Sequence, residues 1–476
     1  MDNDAFLDEL LVRIRDWLEL RETEPVTHCE SPSQIRQSVR LPPPLEGEGL
    51  NGVLHGIDQF LEHSVKTHHP NFMNPLWGGF SVASFAGEVI SALAQTSMYT
   101  FELAPLASQI EQALLIRMRE MIGFPTGTGV LTTGGSSGNL LGVLCARQQH
   151  NPLSINVGMS GNNYSVFVSD DSHYSLRMVV NVLGIGYDNL ILVATDEDGR
   201  MRPAALIEEI EMSIRDGKIP LCVVATSGTT VRGAFDPLKQ ISEIAHQYEM
   251  WMHVDAAWGG AALFSAKYSR LLDGIDLADS VSWDAHKMMG VSLICSAYIV
   301  KNETLFKQVC SHGKTAHYLL HPEAVEIDLG NISLQCGRRN DALKLWLAWK
   351  EKGDAGWARL VDSYVELADF LHKCVENNPE LEMMGSREWA NVCFRYYPPN
   401  FSGDLNELNG KIRAGLLQTG RFMVSRSLVG ESVVIRAVIA NPGVSKESLQ
   451  QFVAEVIALG RHLVSGTGVQ NPDSQI

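Results

Sequence analysis

A lysine in a stretch that otherwise reads as buried chain, Lys287 in "SVSWDAHKMMG", is the residue whose type and place most need a chemical reason. An isolated buried ammonium gives up its proton or finds a partner, so such a lysine is either at the surface or chemically useful. Asp255 ends the apolar run "WMHVDAA" on the strand before it. A carboxylate there either caps a turn or pairs with a cationic ring nitrogen. His173 in "SDDSHYS" is an ordinary satisfied histidine or a flat ring for stacking on a flat ligand. In "LTTGGSSGNLLGVLCARQ" a Gly/Ser turn runs straight into a helix, where backbone N–H groups and the Ser136 and Ser137 hydroxyls make an anchor for a phosphate. The turn lacks the G-K-[ST] of a P-loop and a G-x-G-x-x-G, and singly each of these features has a bland explanation. Together they describe a site for pyridoxal 5'-phosphate: Lys287 condenses with the aldehyde, Asp255 keeps the pyridine nitrogen protonated, and the turn holds the phosphate. A condensed lysine need not carry an isolated ammonium, which removes the desolvation objection.

Such a site must be positioned by strands that end near one another. The runs "YSVFVS", "LILVAT", "LCVVATS", "WMHVDAA", "DSVSWD" and "CSAYIV" are short and rich in β-formers, and amphipathic stretches such as "AALIEEIEMSIRDG" and "LKQISEIAHQYE" separate several of them. That alternation predicts a largely parallel sheet in an α/β domain. Upstream, Phe6, Leu7, Leu10, Leu11, Ile14, Trp17 and Leu18 recur at helical spacing, "RLPPPLEGEG" is a linker by composition, and "GEVISALAQ" and "IEQALLIRMREMIGF" read as helices. After about residue 345 come helices in "ALKLWLAWKEKG" and "LVDSYVELADFLHKCVE", strands in "NVCFRYY" and "SVVIRAVI", and a terminal helix, a smaller α+β domain. The expected division is 1–65, an N-terminal helical segment packing on a partner subunit; 66–345, the large cofactor-binding α/β domain; and 346–476, the small C-terminal domain.

Composition narrows the classes. With 38 basic and 55 acidic residues the chain carries a net charge of −17, which disfavours nucleic acid and anionic membrane surfaces as partners. Eight cysteines without a C-x-x-C pair fit reduced thiols in a cytoplasmic protein, with neither a disulfide framework nor a metal site expected. "MDNDAFLDEL" has neither the basic nor the apolar region of a signal peptide, and no uncharged stretch has the character of a membrane span.

Four segments, "HVDAAWGGAALFS", "SVSWDAHKMMGVSLICSAYIV", "TSGTTVRGAFDP" and "LQCGRRNDALKLWLAWKEKG", carry a resemblance to the group II pyridoxal-phosphate-dependent amino-acid decarboxylases, and within them to the glutamate, cysteine-sulfinate and aspartate branch. The resemblance covers roughly residues 50 to 462. It implies fold type I architecture with a mostly parallel seven-stranded sheet, a homodimer with active sites at the interface, and release of the α-carboxylate as CO2. By matching motifs it implies that Ser136 and Ser137 hold the phosphate, His173 stacks on the ring, and Asp255 pairs with its nitrogen. It places Ala257 against the ring, His286 beside the cofactor, Lys287 as the covalent anchor, and Thr229 of "SGTT" in the same site. "KTAHYLLH" resembles the family's mobile loop after a two-residue insertion, which makes Tyr318 the proton donor to the α-carbon; a phenol there also suits packing on the neighbouring subunit. Arg436 in "VVIRAVIANP" stands where the acidic-substrate branch supplies an arginine to the distal acid, and an arginine in an apolar strand wants an anion.

Ser97 and Tyr99 in "QTSMYTFELAP" resemble the cysteine-sulfinate and aspartate members more than the glutamate ones, which implies a shorter acidic substrate. In "HPNFMNPLWGG" Asn74 belongs to the substrate pocket, while Pro75 stands where acidic-substrate relatives commonly have a glutamine and supplies no side-chain donor. Pro75 with Trp77 therefore keeps a pocket for a non-acidic amino acid open. "WDAHK" departs from the commoner W-N-P-H-K, altering a turn beside the lysine without removing a chemical group. An aldehyde synthase or transaminase of the same fold type would use the same cofactor site, and Tyr318 favours the decarboxylase. A non-catalytic binding protein would be expected to have lost Lys287 or Asp255, and both are present.

Overall fold

The computed structural model describes residues 1–19, 24–159, 161–311, 319 and 328–466. Among them are twelve strands: β1 (Phe72–Met73), β2 (Thr128–Thr132), β3 (Tyr164–Ser169), β4 (Leu190–Val193), β5 (Ile219–Thr226), β6 (Trp251–Asp255), β7 (Ser280–Asp284), β8 (Ser296–Val300), β9 (Leu381–Met383), β10 (Asn391–Tyr396), β11 (Met423–Val429) and β12 (Ser432–Val438). They fall in two compact units, one of residues 80–365 and 385–390, the other of 1–79, 366–384 and 391–476.

The first unit is built on a seven-stranded sheet in the order β2-β8-β7-β6-β5-β3-β4. β7, β6, β5, β3 and β4 run parallel, and β8 is antiparallel to both its neighbours. Every residue of β3, β6, β7 and β8 is buried, the condition of strands covered on both faces, which explains why their sequences are apolar runs rather than alternations. Each such Val or Ile removed from water contributes about 1.5–3 kcal/mol. The helices Pro203–Arg215 and Leu238–Gln247 separate consecutive parallel strands, and each ends where its apolar periodicity ends. The helix Gly135–His150 packs on β6 and β7 with almost no gap: a Cβ at Gly138 would lie 2.3 Å from Ser282 Oγ, and one at Gly142 would lie 2.6 Å from the His253 ring. Only glycine permits that approach, and the approach lets the helix's polar side chains reach the strand ends.

The second unit holds a five-stranded sheet, β1-β11-β12-β10-β9, with β1 parallel to β11 and the other pairs antiparallel. The helices Leu405–Thr419, capped by Asp404, and Lys446–Val464, capped by Ser445, belong to it. The two C-terminal stretches read as separate helices are two arms of Asp341–Glu376 that meet at Gly353, where φ is 58°; residues up to 365 belong to the first unit and those from 366 to the second. Among the described residues no helix is long and apolar enough to cross a membrane.

Candidate active site

Parallel pairing sets Asp255 at the end of β6 opposite Ser282 of β7. Two residues further on, and so on the same face, comes Asp284. Two carboxylates thus project from the carboxyl ends of adjacent strands, 5% and 2% exposed, where open α/β sheets bind their ligands. They border a cavity of about 240 Å3 lined by Gly134, Gly135, Ser136, Asn139, His173, Tyr174, Thr226, Gly228, Thr230, Asp255, Ala257, Trp258, Asp284, His286 and Lys287.

Neutral donors surround Asp255. Asn139 Nδ2 donates to its Oδ2 at 2.7 Å and the Ala257 N–H to its Oδ1 at 3.1 Å. The same Nδ2 also donates to Ser175 Oγ at 3.2 Å, so Asn139 Oδ1 is left to accept, from His253 Nε2 at 3.0 Å. His253 therefore carries its proton on Nε2. Its Nδ1 accepts from the Ser280 hydroxyl at 2.8 Å, and Ser280 accepts from Trp251 Nε1 at 3.0 Å. Complete burial pushes His253 down to about 4, which keeps this chain uncharged near neutrality. The hydrogen bonds run in one direction, from an indole that only donates to a carboxylate that only accepts.

An ammonium and an imidazole face Asp284. Lys287 Nζ lies 3.1 Å from its Oδ2 and His286 Nε2 3.6 Å away, while Ser296 Oγ donates to Oδ1. Burial pushes this carboxyl up, but the Lys287 charge, His286 and the Ser296 bond outweigh it and hold Asp284 below the usual carboxylate range. His286 and His173 are both pushed down, chiefly by burial. The Lys287 side chain is 17% exposed, opening into the cavity rather than sealed in the core.

Of the residues expected from the sequence, Ser136, His173, Asp255, Ala257, His286 and Lys287 line this one cavity. Ser137 does not; its hydroxyl bonds Thr133 Oγ1 at 2.9 Å. Thr229 is fully buried with Oγ1 accepting from Ala234 N, and its neighbours Gly228 and Thr230 face the cavity instead. Ser97 is half-buried and Tyr99 buried, its carbonyl accepting from Gly330 N at 2.8 Å; neither is among the lining residues. Tyr318 lies outside the described residues. Asn74 and Arg436 belong to the other unit. There Arg436 is 6% exposed within β12, its Nε donating to Ser425 Oγ at 2.7 Å, and burial lowers the proton affinity of its guanidinium. Trp77 packs on Phe72 with ring centroids 5.7 Å apart. Sequence reasoning missed Asn139, His253 and the meaning of Asp284. His253 and Asn139 did leave a signal: one shares a strand face with Asp255 at i and i+2, and the other follows Ser136 by almost one helical turn.

A mostly parallel sheet whose strand ends gather a lysine, a carboxylate and an imidazole beside a Gly/Ser helix start defines a cofactor-dependent α/β enzyme. The chain belongs to the family described as the pyridoxal-dependent decarboxylase conserved domain, which matches residues 32–397. It is similar to the acidic amino acid decarboxylase GADL1 of Mus musculus, 35% identical over 477 residues, covering 97% of this chain and 86% of that protein. It is similar in structure to mouse CSAD, with a TM-score of 0.92, 33% identity, and coverage of 96% of this chain and 98% of that one. The Catharanthus roseus tryptophan decarboxylase in complex with L-tryptophan superposes at a TM-score of 0.88 with 25% identity, covering 97% and 99%. The chain is thus a pyridoxal-phosphate-dependent carboxy-lyase of fold type I. Its cavity fits the cofactor: the helix Gly135–His150 starts without a side-chain cap, and an amine, a buried carboxylate and an imidazole face the same space. Among the described residues no group of three or more His, Cys, Asp or Glu is arranged to hold a metal ion.

Proposed function

We propose that this carboxy-lyase removes the α-carboxylate of a small acidic amino acid, aspartate or cysteine sulfinate ahead of glutamate, to give the amine. The observation that carries the substrate class is Arg436, a guanidinium buried in an apolar strand, where a fixed cation can grip an acid through two parallel hydrogen bonds. The mouse relative named for acidic amino acids supports the same class. Asn74, Ser97 and Tyr99 are proposed as further substrate contacts.

The cofactor, when bound, supplies an aldehyde for amines and a ring that accepts the electron pair released with CO2. In this reading Lys287 anchors the aldehyde, Asp255 holds the proton on the ring nitrogen, and His173 and Ala257 sandwich the ring. Ser136 secures the phosphate side, Ser137 and Thr229 brace the turns that frame it through Thr133 and Ala234, and His286 orders the lysine's approach. Tyr318 donates the proton that replaces CO2. The protein is proposed to work as a cytoplasmic homodimer, with residues 1–65 packing on the partner, 66–345 forming the cofactor domain and 346–476 the small domain.

The test is CO2 release from aspartate, cysteine sulfinate, glutamate and leucine by the wild type and Arg436→Met, with a sizing column alongside. We expect kcat/KM on the preferred acidic substrate to fall by roughly two to three orders of magnitude, about 3–4 kcal/mol, and leucine to lose far less. Equal losses on all four with the dimer intact, or a wild type that prefers leucine, would sink the acidic-substrate assignment and favour a pocket shaped by Pro75 and Trp77. For Tyr318→Phe we expect amine yield to fall while aldehyde rises in air; unchanged yield without aldehyde would assign Tyr318 to packing.

A further inference from the structure

Asp284 puts a carboxylate at the centre of the site. Its Oδ2 is 3.1 Å from Lys287 Nζ. A Cβ added at Gly135 would lie 3.1 Å from each of its carboxylate oxygens, so the group also borders the start of the helix Gly135–His150.

The groups around it leave Lys287 as its ionic partner. His286, on the same segment, is buried and pushed toward its neutral form, as is His173 across the cavity. From β8, Ser296 contributes a neutral hydroxyl. Lys344, which lies near His286, is held by Asp341 at 2.9 Å and by Glu88. Asp255 has its own neutral donors in Asn139 and Ala257.

We propose that Asp284 is the counter-ion of the Lys287 nitrogen, holding positive charge on it both as the free ammonium and when it is condensed with the cofactor's aldehyde. The proposal rests on Lys287 being the anchor. An asparagine of the same shape would keep one acceptor but provide no charge. With the cofactor bound, a carboxylate at contact distance would extend the pH range over which the Lys287 nitrogen stays protonated, and so open to displacement by an incoming amine. It also favours release of the lysine as an ammonium when substrate displaces it.

The test is a pH titration of the loaded enzyme's absorbance, without substrate. In the wild type the visible-edge band of the protonated, condensed nitrogen should persist to higher pH than in Asp284→Asn, whose midpoint we expect to fall by about one to three pH units, the effect of losing an opposite charge at this range. Asp284→Glu, which keeps the charge, should recover part of the shift. An unmoved midpoint in Asp284→Asn would overturn the proposal, and is the result expected if the cofactor's phosphate, arriving beside the same helix start, makes Asp284 take up a proton. Should Asp284→Asn fail to load, Ser296→Ala decides: stripping a donor from the carboxylate concentrates its charge on Lys287 and should raise the midpoint, and no rise overturns the proposal. Lys287→Ala separates the two levels. If it keeps the wild-type band, the anchoring role fails and the counter-ion with it. If it loses the band while Asp284→Asn leaves the midpoint unmoved, only the counter-ion fails.

Discussion

Asp255 and Asp284 are the same residue type at the ends of neighbouring parallel strands, both buried and both facing one cavity, yet their surroundings are opposites. Asp255 accepts from an amide side chain and a backbone N–H, with a neutral chain of histidine, serine and tryptophan behind it. Asp284 meets an ammonium and an imidazole. A carboxylate ringed by uncharged donors keeps its charge available for a cation that arrives from outside. A carboxylate already in contact with a cation spends its charge on that partner. The difference teaches that strand-end carboxylates in one site divide their work by their neighbours, not by their own chemistry.

Removing the cation breaks the contrast most completely. Lys287→Ala should cost roughly four to six orders of magnitude in turnover, the scale of losing a covalent nucleophile, together with the visible-edge absorbance and its sensitivity to borohydride. It also leaves Asp284 buried without its ionic partner, so it should bring Asp284 toward the neutral-donor state of Asp255. Retention of the wild-type spectrum and rate would remove Lys287 from the site.

Next in size is Asp255→Asn, which keeps the shape and removes the charge reserved for the incoming ring nitrogen. A fall of roughly 10^2–10^3 in kcat is expected, typical of one preorganised electrostatic contact, with the lysine-dependent absorbance retained. Equal activity in Asp255→Asn would mean that the two carboxylates do not differ in the way their neighbours suggest.

Much of this is legible in the sequence. Six of the seven strands of the larger sheet stand out as β-rich apolar runs, β3, β6, β7 and β8 because both faces are covered, and β2 ends directly ahead of the Gly/Ser turn that drew attention to it. Lys287, Asp255, His173 and Ser136 were visible because a charged or polar group at the end of an apolar run is conspicuous. Asp284 ends such a run too, but it read as a change of turn beside the lysine: the sequence carries no record of register, and only the pairing of Asp255 with Ser282 puts Asp284 on the cavity face. Asn139 sits in an ordinary helix, and two of its three partners come from residues over a hundred positions away. The one-residue steps from Ser136 to Ser137 and from Thr229 to Thr230 illustrate the same limit, since adjacent residues in a turn point in different directions and the motif does not say which one faces the ligand.

Asn139→Ala tests the neutral side more gently. It removes the donor to Asp255 and leaves His253 Nε2 only its longer contact to Ser282 Oγ at 3.2 Å, so we expect cofactor affinity to fall by roughly tenfold, about 1–2 kcal/mol for a weakened buried network. Titrating pyridoxal phosphate into the cofactor-free variant checks it, and affinity equal to wild type would separate the Asn139 chain from the ring-binding carboxylate.

The smallest change at neutral pH is expected deepest in that chain, where substitution exchanges one uncharged group for another. His253 drops from an ordinary value near 6.5 to about 4 in the folded protein. Between those values the unfolded chain binds a proton that the folded one refuses, so stability rises with pH across this window and is lost as pH falls from about 6.5 to 4. The full loss for this one buried group is about 3 kcal/mol, an order-of-magnitude figure. Glutamine can imitate the neutral imidazole, donating to Asn139 and accepting from Ser280, but it cannot titrate. His253→Gln should therefore cost little at pH 7.5 and should narrow the gap in apparent melting temperature between pH 7.5 and pH 5 relative to wild type, both measured with cofactor bound. If the two proteins lose stability in parallel as the pH drops, His253 does not stand in the neutral state its partners require, and the contrast between an uncharged network behind Asp255 and a charged one around Asp284 loses its foundation.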